Sequence, residues 1–157
     1  MLRHPFSSKG GSSLTGMDQR ISLISLAVAD TAVARRFFVD GLGWTPAGEV
    51  SGEVIFIQVG PGLLLSLWNE DEFEKEVGAI NRGTGIAPIT LAHNVHTPAE
   101  VDAVLDQAVA AGATLIAAGQ ERVWGGYTGY FADPDGYRWE VAFNPGPIGQ
   151  LVLDAKA

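Results

Sequence analysis

Glu140 is the side chain with the clearest chemical potential in this sequence. It follows Arg138 by two residues in an alternating run, Tyr137 to Phe143, that is typical of a strand, so both should share one face. A carboxylate in a partly apolar cup can have a raised pKa and act as a general base, or it can orient a ligand. It could equally form a structural ion pair with Arg138 or Arg122. The sequence leaves both interpretations open.

Hydroxyl, amide, guanidinium and aromatic side chains are available to complete a binding site around this carboxylate. Small-molecule sites are mostly apolar with a few convergent polar groups, and aromatic rings stack on planar ligands. The candidate ligand-binding residues are Ser25, Ser66, Trp68, Thr90, Asn94, Trp124, Tyr127 and Arg138. Their alternation along the predicted strands should turn most of them to the same side as Glu140.

His93 and His96 form a weaker candidate pair. Three residues apart on a strand, they should point to opposite faces and lie about 10 Å apart, too far to share an ion. His93 also shares its face with Leu91 and Val95. We expect it to be a hydrogen-bonded core histidine.

The composition narrows the class of protein. The chain has 157 residues, 46% of them apolar, and a net charge of -8, with Lys and Arg scattered singly, which disfavours nucleic acid and anionic membranes as partners. It has no cysteine, which removes disulfides and thiolate metal sites and suits a cytoplasmic protein. No apolar run approaches the ~20 residues needed to span a bilayer. No nucleotide-binding fingerprint is present, and we expect no cofactor.

The order of predicted elements repeats, which indicates two related halves. We expect a flexible N-terminal extension (1–20), a first module (21–69), a linker (70–88), a second module (89–145) and a C-terminal tail (146–157). Each module should contain a strand, a helix and three strands, an α+β fold. In the second module we expect separate strands at 114–117 and 121–124 before those at 127–132 and 137–143.

Three local signals mark the helices and one turn. Asp30 is a typical N-cap for a helix over 31–40, and Thr97-Pro98-Ala99-Glu100 is a capping box with proline at the first helical position. Asp133-Pro134-Asp135-Gly136 predicts a tight turn.

Several of these stretches resemble the vicinal oxygen chelate superfamily, which includes glyoxalase I, bleomycin-resistance proteins and extradiol dioxygenases. They are residues 26–30, 36–38, 41–44 and 131–140, and the resemblance covers about 21–145. It implies two tandem βαβββ modules forming a half-barrel cup. It implies no single activity, because the superfamily contains several chemistries as well as binding proteins.

The resemblance also implies where a catalytic metal would bind, on the first and last strands of each module. The matching positions hold Leu23, Ser66, Thr90 and Glu140, of which only Glu140 is a good ligand. A catalytic metal usually has about three protein ligands, so we expect no metal site.

Two classes of function remain open. We expect a metal-free small-molecule binding protein, like the bleomycin-resistance branch. The alternative is a lyase, isomerase or dioxygenase-like enzyme that uses Glu140 as a base or as a lone retained metal ligand. Proteins of this superfamily commonly pair, so we also expect a homodimer.

Overall fold

The computed structural model describes residues 16–154, which form two four-stranded sheets with helices. The first module contains β1 (Leu23–Val28), α1 (Thr31–Arg35) continuing as a π-helical segment (Arg36–Gly41), β2 (Pro46–Val50), β3 (Val54–Gly60) and β4 (Leu63–Asn69). After α2 (Glu70–Glu76), the second module contains β5 (Thr90–Val95), α3 (Pro98–Ala111), β6 (Thr114–Glu121), β7 (Tyr127–Ala132) and β8 (Arg138–Phe143). Helix α4 (Pro147–Leu153) follows.

The two sheets have the same topology. Their strand orders are β1-β4-β3-β2 and β5-β8-β7-β6. In each, the first strand pairs in parallel with the last, and the remaining pairs are antiparallel. The predicted α+β fold of two tandem βαβββ modules is therefore confirmed.

The predicted helix-start signals make the expected contacts. The Asp30 carboxylate accepts a hydrogen bond from Ala32 N at 2.8 Å, and Thr97 Oγ1 accepts one from Glu100 N at 3.2 Å. Glu100 in return accepts one from His96 N at 2.9 Å, one residue before the N-cap. Both helices thus begin where backbone N–H groups find side-chain acceptors.

The structure departs from the predicted elements in four places. The helix expected over 31–40 is α-helical only to Arg35 and continues as the π-helical segment. In place of the two strands expected at 114–117 and 121–124 there is one strand, β6, which ends at Glu121 and stays paired with β7 through bulges around Ala117. The predicted linker contains α2, in which the Asn69 side chain accepts a hydrogen bond from Asp71 N and acidic residues occupy the first turn. The predicted C-terminal tail contains α4. Most of the predicted N-terminal extension, residues 1–15, lies outside the described residues.

One hydrophobic core joins the helix-covered faces of both sheets. Phe38 and Trp44 of the first module lie 5.9 and 6.0 Å, ring to ring, from Trp139 of β8. Phe37 lies 6.2 Å from Phe131 of β7. Because the helix-covered faces meet inside, the opposite face of each sheet points outward. We call these the first open face and the second open face.

The turn between β7 and β8 fastens the modules together. Asp135 Oδ1 accepts a hydrogen bond from Ala29 N at 2.8 Å, and the Tyr137 hydroxyl donates to Ala27 O at 2.9 Å. Gly136 takes a positive φ of 86°, which the predicted turn requires. The end of β1 is thereby held against the second module.

Within residues 16–154, no helix is long and apolar enough to cross a membrane.

Candidate functional site

The second open face carries a group of polar side chains around Glu140. The strand register places Ala92, Glu140 and Tyr130 side by side across β5, β8 and β7. The next row contains Asn94, Ala142 and Thr128. Side chains in one row point to the same side of a sheet, and alternate rows share that side. Glu140, Tyr130 and Thr128 therefore project from one surface.

Glu140 is hydrogen-bonded to a phenol. The Tyr130 hydroxyl donates a short hydrogen bond to Glu140 Oε2. Among the described residues, no guanidinium nitrogen lies within 4.0 Å of this carboxylate, so the alternative of an ion pair with Arg138 or Arg122 is not realised. The hydrogen bond to Glu140 is the main cause that raises the pKa of Tyr130, followed by burial. The phenol therefore stays protonated and remains a donor at neutral pH.

Arg122 extends this arrangement to the neighbouring row. Its Nε donates to Thr128 Oγ1 at 2.6 Å, and Thr128 is buried. When the Gln120 side-chain amide is oriented so that both its oxygen and its nitrogen find partners, the oxygen accepts from both Nη groups of Arg122. The positive charge of Arg122 and the hydroxyl of Thr128 both act to lower the pKa of Tyr130, which places them close to the phenol. We call Arg122, Thr128, Tyr130 and Glu140 the polar cluster.

An apolar groove borders the polar cluster. Its volume is about 420 Å³ and its lining is mostly aliphatic. The lining residues are Ile86, Ala87, Pro88, Ile89, Thr90, Ile116, Tyr130 and Arg138. Tyr130 belongs to both the groove and the cluster, so the two form one continuous surface.

Three of the predicted ligand-binding residues share the second open face with Glu140. Thr90 Oγ1 donates to Arg138 O at 3.2 Å, and the Arg138 guanidinium donates to Gly136 O at 3.0 Å. Asn94 is half-buried in the row beyond Glu140. These side chains surround the carboxylate on two sides.

Three other predicted residues lie on the first open face instead. Ser25 and Ser66 are direct neighbours on β1 and β4. Trp68 packs against Phe73 of α2, with ring centroids 5.5 Å apart. Since the two open faces belong to separate sheets that meet through their helix-covered sides, these three residues lie on a different surface from Glu140.

The two remaining aromatic candidates lie outside both open faces. The Tyr127 hydroxyl donates to Asp102 of α3 at 2.8 Å, which places the ring on the helix-covered face of the second sheet. The expectation that Tyr127 lines the cup does not hold, because β7 turns it and Tyr130 to opposite sides. Trp124 is 54% exposed in the β6–β7 turn.

His93 lies on the predicted face but not in the core. It is exposed at the rim of a cavity of about 660 Å³ between the modules, beside Trp44 and Trp139. The surrounding apolar groups lower its pKa by desolvation, so the imidazole is neutral at neutral pH. The prediction that His93 is a buried core residue is therefore wrong.

Comparison with known proteins identifies the family. The model of the Glyoxalase/Bleomycin resistance protein/Dioxygenase superfamily matches residues 20–141. The chain belongs to this superfamily. A glyoxalase-related enzyme from Fulvimarina pelagi has 36% identity and a TM-score of 0.74, with 81% of this chain and 89% of that chain covered.

Two further relatives of this superfamily protein are more distant. An uncharacterized protein of Mycobacterium tuberculosis is 29% identical over 136 residues, which cover 82% of this chain and 75% of the relative. The lactoylglutathione lyase from Agrobacterium tumefaciens has 22% identity and a TM-score of 0.62, with 80% of this chain and 94% of that chain covered. At this identity the likeness to the lyase shows the fold alone.

The donor set of this superfamily member does not fit a catalytic divalent metal. Leu23 has no donor atom, Ser66 is buried on the first open face, and Thr90 already bonds a backbone carbonyl. Glu140 is the one strong ligand of the four, and its carboxylate already accepts a hydrogen bond from the Tyr130 hydroxyl. The described residues contain no group of three or more His, Asp or Glu side chains that could hold a metal.

Sequence reasoning missed Tyr130 and Thr128 as members of the site. The signal was present in β7, where Tyr127, Gly129 and Phe131 alternate with Thr128 and Tyr130. Phe131 is a core residue, so strand alternation turns Thr128 and Tyr130 outward.

Proposed function

We propose that this chain is a small-molecule binding protein whose ligand lies on the second open face, over the polar cluster and the adjoining groove. One observation carries the proposal. Among residues 16–154, the Glu140 carboxylate is held by the Tyr130 phenol and by no cation, so part of its hydrogen-bonding capacity is available to a ligand. The apolar groove beside it supplies the contact area that a ligand of modest size needs.

The same pair supports a second candidate, a metal-free lyase or isomerase. Glu140 would take a proton from a carbon beside a carbonyl, and the Tyr130 phenol would stabilise the carboxylate before that step. Tight binding without turnover separates the first candidate from the second.

Substitution of the carboxylate tests the site. A thermal-shift screen of small metabolites against the wild-type protein provides the ligands, and Glu140→Gln is then compared with it. Glutamine retains an acceptor for Tyr130 but removes the charge. We expect loss of most of the binding, roughly tenfold or more, with little change in unfolding temperature. If the second candidate is correct, turnover is abolished as well.

The control for this experiment is Glu76→Gln, an exposed carboxylate at the end of α2 that changes the net charge equally. Unchanged ligand affinity in Glu140→Gln would contradict the proposed site. A variant that unfolds easily would show that Glu140 is structural. Elemental mass spectrometry of the purified protein adds a direct test, since a stoichiometric metal would contradict the metal-free proposal.

We further propose a cytoplasmic homodimer. Apolar side chains on the outer surfaces support pairing: Leu23 is 47%, Ile89 44% and Ile116 45% exposed. A two-fold pair could set the first open face of one copy against the second open face of the other, which would reunite the residues that a single chain separates. Analytical ultracentrifugation tests this, and a monomer at all accessible concentrations would contradict it.

A further inference from the structure

Arg122 carries a positive charge with no acidic partner among the described residues. Its polar contacts there are the Thr128 hydroxyl and the Gln120 amide oxygen. A guanidinium has five N–H donors. These contacts use one donor on Nε and one on each Nη, which leaves two for a ligand. Arg35 and Arg82, by contrast, are each within 4.0 Å of two carboxylates.

The position of Arg122 is fixed by the fold. Its backbone N donates to Gly126 O at 2.8 Å across the β6–β7 turn, and its Nε is held by buried Thr128. A guanidinium fixed in this way presents its remaining Nη donors in one plane. Because the Gln120 oxygen takes one hydrogen from each Nη, the two that remain point to opposite sides of the group, and one of them can donate to a carboxylate oxygen.

The neighbouring Glu140 selects a singly charged anion. Its carboxylate lies in the next row of the same face, on the far side of Tyr130. A dianion bound at Arg122 would be repelled by this charge twice as strongly as a monoanion. The arrangement therefore favours a carboxylate over a doubly charged phosphate.

The groove sets the nature of the rest of the ligand. Thr128 and Tyr130 are two residues apart on β7, about 7 Å along the strand. The aliphatic lining begins at Tyr130 and continues through Ile116, Ile89 and Ile86. A molecule anchored at Arg122 thus passes over the phenol into apolar surroundings.

We propose that the ligand is a monocarboxylic acid with an apolar body and a hydroxyl donor. Arg122 binds its carboxylate, Glu140 accepts from its hydroxyl, and its hydrocarbon body lies in the groove beyond Tyr130. This inference rests on the proposed function and names the class of ligand for that site. The net charge of -8 would by itself favour a cationic ligand, whereas the proposed ligand is an anion. The local charge at Arg122 acts at contact distance, whereas the distant carboxylates are screened by salt.

Four probes separate the contributions of charge and hydrocarbon. Octanoate carries both features, octanol only the chain, acetate only the charge, and octylammonium the chain with the opposite charge. Binding is measured to the full-length protein by titration in two-dimensional NMR, which also reports whether the signals of Tyr130 and Glu140 move. We expect octanoate to bind roughly 10- to 100-fold more tightly than octanol or octylammonium.

Two variants and a control localise the charge. Arg122→Gln should weaken octanoate roughly 10- to 100-fold and leave octanol unchanged, since it removes only the charged contact. Arg122→Lys retains the charge but not the guanidinium that Thr128 and Gln120 hold in place, and should fall between the two. Arg36→Gln is the control, because Arg36 is exposed beside α1, away from the second open face, and the net charge changes equally.

The outcomes distinguish this inference from the proposed function. Equal binding of octanoate and octanol, stronger binding of octylammonium, or unchanged octanoate binding in Arg122→Gln would each overturn the carboxylic-acid inference while the site remains a binding site. If neither these probes nor any hit of the metabolite screen moves the signals of Tyr130 and Glu140, the proposed function itself fails. Loss of octanoate binding in Arg36→Gln would also overturn the assignment to Arg122.

Discussion

Glu140 and Tyr130 show how a single neighbour changes what a side chain can do. Had Arg138 or Arg122 paired with the carboxylate, the charge would be neutralised within the protein. The phenol instead donates one hydrogen bond and leaves the negative charge in place. On the same face, the Arg138 guanidinium donates to Gly136 O, and Arg122 lies one row away from Glu140. Thr128 and Tyr130 separate Arg122 from Glu140, so both charges can contact a ligand.

Asp133 is a second carboxylate whose surroundings decide its chemistry. It is 6% exposed and accepts hydrogen bonds from Trp139 Nε1 and from the backbone N of Tyr137 and Asp135. Burial raises its pKa to about 6, although these hydrogen bonds act in the opposite direction. The folded state therefore binds the proton more tightly than the unfolded state does.

This shift predicts the sign of a pH dependence. The stability that Asp133 contributes should be fully present below about pH 4 and should be lost as the pH rises through about 6. Urea unfolding of wild type and Asp133→Asn from pH 4 to pH 8 measures it. The advantage of wild type over the variant should fall with rising pH by on the order of 3 kcal/mol.

Asp106→Asn serves as the control for the change in net charge, because Asp106 is exposed on α3. A wild-type advantage that grows with rising pH would contradict the raised pKa of Asp133.

At the scale of elements, α3 supports the second open face from behind. Its buried residues Val101, Leu105 and Ala108 pack on the helix-covered face of the second sheet. Gly129 of β7 allows this approach, since a Cβ there would lie 2.4 Å from Leu105 Cδ1. The strand that carries Thr128 and Tyr130 is thus held in place by the helix on its other side.

The N-cap of α3 should therefore contribute measurably to stability. Thr97→Ala removes the acceptor of Glu100 N and should lower the free energy of unfolding by about 1 kcal/mol. Thr97→Ser retains the hydroxyl and should cost less. Chemical unfolding monitored by circular dichroism compares the three proteins, and equal stability of Thr97→Ala and wild type would show that the cap is dispensable.

At the scale of the whole molecule, the shared core makes the two modules interdependent. The π-helical segment of the first module ends at Gly41 against the end of α3, where a Cβ would lie 2.5 Å from Ala111 Cβ. Gly41 therefore sets how closely the modules approach. The hydrogen bonds of Asp135 and Tyr137 to β1 fasten the same junction from the other side.

Overfilling this junction should destabilise both modules together. Gly41→Val should lower the free energy of unfolding by roughly 1–3 kcal/mol, because Ala111 and its backbone must move. Gly48→Val in β2 is the matched control, since a Cβ there meets nothing within 4 Å. Tryptophan fluorescence and circular dichroism should report one common transition. Equal stability of the two variants would contradict a tight junction.

The sequence by itself determined the features that depend on neighbours along the chain. Strand alternation, the caps at Asp30 and Thr97 and the turn at Gly136 are local, and each is found as predicted. The repeat of strands and helices was enough to predict two tandem modules. The element limits were predicted less well where bulges let a strand stay paired through an irregular register, as in β6.

Only the tertiary structure decided which residues meet. Alternation assigns a side chain to one face of its strand, but it does not say which faces of two modules pack together. The aromatic residues around Trp139 turned the helix-covered faces inward, and this separated Ser66 and Trp68 from Glu140. The partner of Glu140 was likewise decided by cross-strand register, because Tyr130 lies ten residues away in the chain and directly opposite in the sheet.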